Sequence, residues 1–393
     1  MMRHEFLLIL LLGLLLLWVW GFYLWQRRAI RPRTEPAAPA AFPSVSIIRP
    51  IKGLDTGIQD NLRAAFHSGY VGDREILFVL DDEQEPAYPW VEQAIAEARQ
   101  AHPSIKARIV LSGQPPANRT GKLNAMIAGL QAASHDLVAF VDSDIREDEN
   151  DLRVMVATLL ADPGAGAVFP TVISMEPPET LGDVGYAVMV NGLYEPAALA
   201  TAHLLGGELP FIMGHMMVLK REAITAIGGL ESAEGQLVDD MFLGKRLKQF
   251  GFRNKLSPKP ATIIQQGTST GEFIQILIRW IAFSMTGLPL LTCKLPHWLT
   301  GVSFWIGLVV MVLAGIKGSP SLALLAGFLA LSVGITINDL HYRMAGTRIP
   351  MRYAWGSLLI WLASPVIYAQ IWIKREVNWR GRVYSLNKAA LLQ

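Results

Sequence analysis

Residues 6–25 form an unbroken apolar run, FLLILLLGLLLLWVWGFYLW, and this run predicts that the chain enters a membrane. A helix of about 20 residues spans the roughly 30 Å hydrocarbon core of a bilayer. The alternative is a cleaved signal peptide, whose apolar region normally has only about 7–15 residues. This run is longer, and arginines follow it before any small-residue cleavage site. We therefore predict an uncleaved membrane anchor within residues 1–30.

The charges that flank the run predict its orientation. One arginine, Arg3, precedes it, and four follow it, namely Arg27, Arg28, Arg31 and Arg33. Because flanks rich in Lys and Arg stay on the cytoplasmic side of a membrane, the N-terminus is expected outside. The chain from Gln26 onward is then expected to begin in the cytoplasm.

Three more apolar runs, at residues 297–316, 320–338 and 353–373, predict C-terminal transmembrane helices within 297–374. The chain as a whole is 51% hydrophobic and 17% charged, whereas an ordinary soluble domain is about 25% charged. The charged residues concentrate between the apolar runs. This distribution predicts a soluble domain held between membrane segments.

Two apolar stretches, residues 181–213 and 272–293, are interrupted by charged and polar side chains. Such stretches are typical of amphipathic helices at a membrane surface, and residues 271–296 are assigned to interfacial helices of this kind. For 181–213 a buried helix of the soluble domain is an equal alternative.

The basic tail, residues 375–393, conflicts with a simple topology. Four membrane spans would leave it outside, against the preference of positive charge for the cytoplasm. Counting 272–293 as a fifth span would return the tail to the cytoplasm, but it would bury Arg279 in the bilayer at a cost of several kcal/mol. The sequence leaves the number of spans open.

The middle of the chain predicts an α/β domain at residues 44–270, after a Pro/Ala linker at 31–43. Short β-rich runs such as SIIRPI, EILFVL, LVAFV and AGAVFPTVIS, the last at residues 165–174, alternate with helical patterns such as GKLNAMIAGLQAA. This alternation predicts a mostly parallel sheet with helices on both faces. Ligands of such sheets bind beyond the carboxyl ends of the strands.

Aspartates follow two of these predicted strands. Asp142 and Asp144 come after LVAFV, and on an extended segment residues i and i+2 point the same way. A divalent cation that also binds phosphates would separate the two charges, although turns also favour Asp. Asp81 ends EILFVL, where an acidic side chain can bind a base or ribose or open an Asx turn.

Other candidates lie near predicted helices. Asp239 and Asp240 begin an amphipathic helix; one Asp serves as an N-cap, and Asp240 is free to act as a general base, unless both only favour the helix dipole. Lys122 stands at a helix start suited to phosphate or is a solvated lysine. Arg279 and Trp280 suit phosphate and stacking, or anchor the chain at the membrane interface.

Several function classes find no support in the chain. The net charge is +2, without a basic stripe interleaved with aromatics, so no nucleic-acid partner is expected. Cys293 is the single cysteine, which precludes an intrachain disulfide. No zinc-ligand spacing, Ser-His-Asp pattern or P-loop is present.

An ordered set of motifs resembles membrane inverting glycosyltransferases with a GT-A fold, especially the ceramide glucosyltransferase-like group and its bacterial relatives, which include hopanoid glycosyltransferases. The set comprises SIIRPIKGLD, FVLDD, GKLNAM, VDSDIR, GHMMVLKREAITAIGGL, LVDDMFLG, IRW and NWRGRVY. The resemblance runs from about residue 44 to the tail. It implies a GT-A domain, a Rossmann-like and mostly parallel sheet, combined with transmembrane helices.

The resemblance also implies roles for the candidate residues. Asp81 would contact the nucleotide, Asp144 would hold Mg²⁺ or Mn²⁺, and Asp240 would be the catalytic base. Lys122 and Asp142 would assist with a UDP-sugar, and Arg279 and Trp280 match the end of a [Q/R]-x-x-R-W motif. The first position of that motif is Ile276 here, with Gln275 one earlier, which weakens an assignment to processive polysaccharide synthesis.

The activity implied is transfer of a sugar, glucose first, from a UDP-sugar to a lipid hydroxyl, ceramide first, with inversion. The acceptor alternatives are a hopanoid, a diacylglycerol, a polyprenyl phosphate or a growing polysaccharide. A catalytically dead scaffold or a lipid transporter is the non-enzyme alternative. The expected location is a bacterial inner membrane, with the catalytic domain facing the cytoplasm and a lipid of the bilayer as partner.

Overall fold

A computed structural model of the chain describes residues 2–387, 391 and 392. It begins with a long helix, α1 (Met2–Ala29), followed by an irregular linker rich in proline. The α/β region then comprises β1 (Val45–Pro50), α2 (Ile58–Ala64), β2 (Arg74–Leu80), α3 (Tyr88–Ala101), β3 (Lys106–Leu111), α4 (Gly121–Ala132), β4 (Leu137–Val141), β5 (Ile145–Arg146), α5 (Asp151–Leu160), β6 (Ala165–Phe169), β7 (Val172–Ser174), α6 (Leu181–Met189), α7 (Glu195–Leu204), β8 (Met216–Lys220), α8 (Arg221–Ala226), α9 (Asp239–Gln249), β9 (Arg253–Leu256) and β10 (Ala261–Ile263).

The last part of the chain is mainly helical. It comprises α10 (Thr270–Gly287), α11 (Leu295–Ile316), α12 (Pro320–Ala345), α13 (Leu359–Lys374), β11 (Glu376–Trp379) and β12 (Arg382–Ser385). The strands β11 and β12 pair as an antiparallel hairpin, which we call the C-terminal hairpin.

A seven-stranded sheet with the order β3-β2-β1-β4-β8-β6-β9 forms the centre of the α/β region. Strand β1 runs parallel to β2 and β4, whereas β8 is antiparallel to β4 and β6. All five residues of β4 are buried, because a central strand covered on both faces excludes water from every side chain. The predicted α/β architecture with a mostly parallel sheet is confirmed.

One predicted strand, residues 165–174, is divided in the structure. Pro170 lies between β6 and β7 and has no N–H with which to continue a ladder. The chain leaves the large sheet there, and β7 joins a small sheet of order β5-β10-β7. This second sheet lies beside the carboxyl end of β4, because β5 begins only four residues after Val141.

Within the described residues, four helical stretches are long and apolar enough to cross a membrane: His4–Ala29, Leu290–Ile316, Pro320–Ala345 and Met351–Lys374. They correspond to the four predicted apolar runs, and they make the chain a membrane protein. Residues 272–293 are not among them. Most of that stretch belongs to α10, whose start is closed by a capping box of Ser269 and Glu272.

Residues 181–213 form buried helices of the domain rather than a surface-lying amphipathic helix. Helices α6 and α7 are joined by one π-helical turn and pack between the sheet and the membrane helices α1 and α12. The polar residues are paired inside: the Asn191 side-chain amide donates to the Ser174 carbonyl at 2.8 Å and contacts His341 of α12. The helices therefore couple the domain to the membrane part.

Both ends of the segment Met351–Lys374 lie against the α/β region. Near its start, the Tyr353 hydroxyl donates to the Glu179 carbonyl of the α/β region at 3.2 Å. Its α-helical part has 16 residues, or about 24 Å, and runs antiparallel to α11, with Trp305 bonded to Trp361 and Trp298 bonded to Tyr368. It then leads into the C-terminal hairpin, which lies on the α/β region. Residues at both ends of the segment therefore contact the α/β region, and the basic tail packs on that region through the hairpin.

Candidate active site

A cavity of about 180 Å³ lies at the carboxyl ends of β1, β2 and β4. The wall includes every side chain that the sequence singled out, although these are far apart in the chain: Asp81, Lys122, Asp142, Asp144, Asp240, Arg279 and Trp280. The parallel strands bring the loops that follow them to one edge, while α4, α9 and α10 supply the remaining walls.

The two aspartates after β4 lie on a turn, not on the extended segment that the sequence predicted. The Ile145 N–H donates to the Asp142 carbonyl at 3.2 Å, which closes the turn. Arg49, fully buried at the end of β1, donates to the carbonyls of Asp142 and Ile145 at 3.2 and 2.9 Å. The turn backbone is therefore held from below, and the side chains of Asp142 and Asp144 both reach the cavity.

Lys122, not a cation from solution, neutralises Asp142. Its ammonium lies 2.6 Å from Asp142 Oδ1 and donates to the Gly214 carbonyl at 2.8 Å. Burial alone would lower the pKa of Lys122, but the field of Asp142, Asp239 and Asp240 outweighs burial and raises it. The N-terminus of α4, where a phosphate was expected, is occupied by protein: the Thr120 hydroxyl accepts from Leu123 N–H at 3.1 Å.

Asp240 lies in the first turn of α9, with its carboxylate directed into the cavity. The prediction that one aspartate of the pair caps this helix is wrong, because the N-cap position is Val238 and makes no side-chain cap bond. Asp240 instead accepts from Gly214 N–H at 2.5 Å and Met241 N–H at 2.7 Å. Residue 214 must be glycine, since a Cβ there would lie 2.6 Å from Asp240 Oδ2.

The surroundings of Asp240 suit a general base. Burial, with the neighbouring charge of Asp239, raises the pKa of Asp240 to about 7. A carboxylate with a pKa near neutral accepts a proton readily and is still ionised in half of the molecules at that pH. Asp239 is itself buried, and its Oδ2 has no hydrogen-bond partner.

Asp144 has the properties of a metal ligand. Its Oδ1 is buried without a hydrogen-bond partner, and burial together with Asp55 and Asp142 raises the pKa of Asp144 to about 6. A divalent cation would relieve both conditions. His215 lies near Asp144, and burial lowers the pKa of His215 to about 4, so its imidazole is neutral and can act as a ligand.

The protein alone does not complete a metal site. Among the residues that the structure describes, no cluster of three or more His, Cys, Asp or Glu side chains is arranged to hold an ion. Mg²⁺ and Mn²⁺ commonly take one or two carboxylates and complete their coordination with water and substrate phosphates. Asp144, with the free Nδ1 of His215, fits that kind of site. The sequence did not single out His215, although it stands in the quoted GHMMVLK motif.

Asp81 lies at the other end of the cavity in a strongly basic surrounding. Lys52 lies 2.8 Å from Asp81 Oδ2, and Arg382 of the C-terminal hairpin donates to the same oxygen at 2.5 Å. Lys52 also pairs with Glu85 at 2.7 Å. Neither cation was identified from the sequence.

Arg279 and Trp280 face the cavity rather than the bilayer surface. Trp280 packs on His215 with ring centroids 5.5 Å apart and on Tyr194 at 5.1 Å. The Arg279 guanidinium lies 5.7 Å from the centre of the Trp379 ring. Burial lowers the pKa of Arg279, and among the residues that the structure describes no carboxylate forms a salt bridge with it. This buried cation is available to a negatively charged ligand.

The C-terminal hairpin covers part of the cavity. Trp379, Arg380, Arg382 and Tyr384 all contribute to the wall. A two-residue turn, Arg380–Gly381 with φ of 52° and 76°, joins its strands. The motif WRGR between apolar residues is the sequence feature that could have predicted this hairpin. No sequence feature predicts which part of the protein the hairpin contacts.

A second, apolar cavity of about 350 Å³ lies between α10, α11 and α13. Trp298, Gly301, Trp305, Trp361 and Ser364 are among its lining residues. It adjoins the first cavity, because five residues line both: Tyr194, Ser284, Leu288, Cys293 and His297. A carboxylate-rich chamber therefore adjoins an apolar cavity among the C-terminal helices.

Comparison with known proteins agrees with this arrangement. The model of glycosyl transferase family 21 matches residues 8–391. Ceramide glucosyltransferase 3 of Caenorhabditis elegans is 22% identical over 353 residues, which are 88% of this chain and 73% of that protein. Ceramide glucosyltransferase 1 of the same organism is 26% identical over 63% of this chain and 51% of its own length.

A solved structure confirms the fold class. The mannosyltransferase of Pyrobaculum calidifontis, determined with GDP-Man and Mn²⁺, superposes with a TM-score of 0.55 at 19% identity. The match covers 91% of this chain and 99% of that protein. The α/β region therefore has the glycosyltransferase GT-A fold that the resemblance implied.

Proposed function

Because the chain belongs to glycosyl transferase family 21, we propose that this membrane enzyme transfers glucose from UDP-glucose to the hydroxyl of ceramide, with inversion. The observation that carries the proposal is the junction of the two cavities. A chamber containing Asp81, Asp144 and Asp240 shares a wall with an apolar cavity between α10, α11 and α13. A nucleotide sugar requires the first environment, and a lipid requires the second.

The donor is assigned to the chamber. Asp81 would accept hydrogen bonds from the base or ribose, and Arg279, a buried cation that forms no salt bridge within the described part of the chain, would bind the diphosphate. Asp144 and His215 would hold a Mg²⁺ or Mn²⁺ ion, which when bound would neutralise charge on the departing UDP. Trp280 forms the apolar floor beneath His215.

Asp240 is assigned as the base for the acceptor. It would take the proton of the lipid hydroxyl while the hydroxyl oxygen forms a bond to the anomeric carbon. The bond from that carbon to the phosphate oxygen breaks on the opposite face, so one displacement inverts the configuration. The two backbone N–H groups on Asp240 hold its carboxylate in place during this step.

The acceptor alternatives differ in what they require from the site. A polyprenyl phosphate is already ionised and needs no base, so the buried Asp240 favours an alcohol. Ceramide, hopanoids and diacylglycerol all present an alcohol on an apolar body, and the similarity to ceramide glucosyltransferases of C. elegans supports ceramide as the first choice. We place the catalytic domain at the cytoplasmic face of a bacterial inner membrane, since basic residues follow α1.

The test is transfer of labelled glucose from UDP-glucose to ceramide by membranes that contain the protein. The product should be a β-linked glucosylceramide by mass spectrometry and NMR, and a chelator should abolish its formation. Lipids extracted from cells with and without the protein would identify another headgroup. An α-linked product would contradict inversion, and a product on a hopanoid or diacylglycerol alone would replace ceramide.

The pH profile of kcat/KM should report on Asp240. Because a general base acts in its ionised form and the pKa of Asp240 is raised to about 7, activity should be high above this pH. It should fall about tenfold per pH unit below it. The profile is measured by initial rates at donor concentrations below KM. A flat profile between pH 5.5 and 8 would contradict the assignment.

A bulky side chain in the apolar cavity should weaken use of the lipid acceptor without weakening use of the sugar donor. Ser364 lines it, so Ser364→Phe should raise the KM for long-chain ceramide at least about tenfold and leave the KM for UDP-glucose within twofold. Short-chain ceramide should be spared. The matched control is Val366→Phe on the same helix, since Val366 is 69% exposed and lines neither cavity. Equal changes in the KM for long-chain ceramide in the two variants would contradict the assignment of the lipid to this cavity.

A further inference from the structure

The C-terminal hairpin places two arginines on the carboxylates that the donor needs. Arg380 pairs with Asp55, and its Nη2 lies 3.9 Å from Asp144 Oδ2. Arg382 donates to Asp81 Oδ2 at 2.5 Å and to Gln114 Oε1 at 3.0 Å. Asp144 and Asp81 are the residues assigned to the metal and to the nucleoside.

The hairpin is anchored in this position by its neighbouring residues. Trp379 packs on Phe283 of α10 with ring centroids 5.7 Å apart, beneath the guanidinium of Arg279. The Tyr384 hydroxyl accepts from the Gly121 N–H at 3.1 Å, at the start of α4. Both strands of the hairpin are thus fixed to the cavity wall, and the turn between them is directed at the carboxylates.

The charge balance of the cavity suggests what the arginines do when a donor is bound. Lys122 is engaged by Asp142 and the Gly214 carbonyl, and Lys52 by Asp81 and Glu85. A diphosphate adds at least two negative charges to this space. When the metal takes Asp144 and the nucleoside takes Asp81, both arginines lose a carboxylate partner beside the incoming phosphates. A guanidinium fork matches the geometry of phosphate oxygens.

We propose that Arg380 and Arg382 bind the diphosphate of the donor, which makes the C-terminal hairpin part of the donor site. In the free enzyme Arg380 pairs with Asp55 and Asp144, and Arg382 pairs with Asp81; in the complex the contacts with Asp144 and Asp81 are exchanged for contacts with phosphate oxygens. The inference rests on the proposed function, because it requires a nucleoside diphosphate in this cavity.

The first test is calorimetric binding of UDP and UMP, with Mg²⁺ present, to purified full-length protein. Arg380→Gln and Arg382→Gln should each weaken UDP binding about tenfold or more, because each loses a charge-assisted bond to phosphate. UMP binding should change less, so the preference for UDP over UMP should shrink. Lys374→Gln is the control: it removes one exposed positive charge just before the hairpin and should bind UDP like the wild type.

The second test separates ligand binding from a structural role of the hairpin. Without nucleotide, Arg380 competes with a cation for Asp144. Arg380→Gln should therefore bind Mn²⁺ about tenfold more tightly, as followed by electron paramagnetic resonance, while it binds UDP more weakly. Arg382→Gln should leave Mn²⁺ binding unchanged, since Arg382 contacts Asp81 instead.

The outcomes distinguish this inference from the proposed function. If the wild type binds UDP and the arginine variants bind it equally well, the inference fails and the proposed function stands. Equal losses of UDP and UMP, or weaker Mn²⁺ binding by Arg380→Gln, would also overturn it, since both would indicate a collapsed site. If the wild type binds neither UDP nor GDP, the proposed function fails and this inference with it.

Discussion

Asp240→Asn should lower kcat about 10²–10⁴-fold and leave the Kd for UDP within about twofold. The range is that of losing a positioned general base. Asparagine is nearly isosteric, and its side-chain oxygen can still accept the hydrogen bond from Gly214 N–H, so the turn around α9 should persist. Transfer of labelled glucose to ceramide gives kcat, and calorimetry gives the Kd for UDP.

The matched control for this variant is Asp82→Asn. Asp82 stands next to Asp81 after β2, but it does not line the cavity, and its carboxylate accepts from Gln84 N–H in the loop. Its kcat should stay within about twofold of the wild type. Unchanged turnover in Asp240→Asn would refute the base assignment. A parallel loss of UDP binding would mean that the residue supports the site rather than the proton transfer.

Lys122→Met should destabilise the protein by about 3–5 kcal/mol, because it leaves buried carboxylates without their counter-ion. Lys122 neutralises Asp142 directly and lies close enough to Asp239 and Asp240 for their charges to raise its pKa. We expect a fall of roughly 4–6 °C in the unfolding midpoint. The midpoint is followed by intrinsic fluorescence of the purified protein in detergent.

The chain contains a matched control for this ion pair. Lys106 lies 2.6 Å from Asp73, the same N–O distance as in the pair of Lys122 with Asp142, but its side chain is 59% exposed against 14% for Lys122. Because exposed pairs contribute only about 0–1 kcal/mol, Lys106→Met should hardly shift the midpoint. Adding Asp142→Asn to Lys122→Met should recover part of the loss. Equal shifts of the unfolding midpoint for the two lysine variants would show that the buried pair of Lys122 and Asp142 contributes no more to stability than the exposed pair of Lys106 and Asp73.

Local sequence patterns predicted the elements well where one physical preference dominated. The apolar runs identified the four membrane-competent helices, since about 20 apolar residues have few other stable environments. The alternation of β-rich and helical segments predicted the sheet. The prediction failed where a single residue intervened, as at Pro170, which divides one expected strand into β6 and β7.

The aspartates of the site were predicted because they directly follow apolar runs that the sequence clearly marks as strands. The basic residues that contact these aspartates were not predicted, because no local pattern distinguishes Arg49 or Lys52 from an exposed basic residue. Their roles depend on burial, and burial depends on how distant elements pack.

Patterns of neighbouring residues established from the sequence that this chain has membrane segments and an α/β domain, and that carboxylates follow its central strands. The contacts of both ends of Met351–Lys374 with the α/β region, and of Arg380 and Arg382 with Asp144 and Asp81, became visible only in the tertiary structure. The former features follow from preferences of neighbouring residues for water, lipid or backbone geometry. The latter join residues at least 174 positions apart, so they arise only when packing brings distant parts of the chain together.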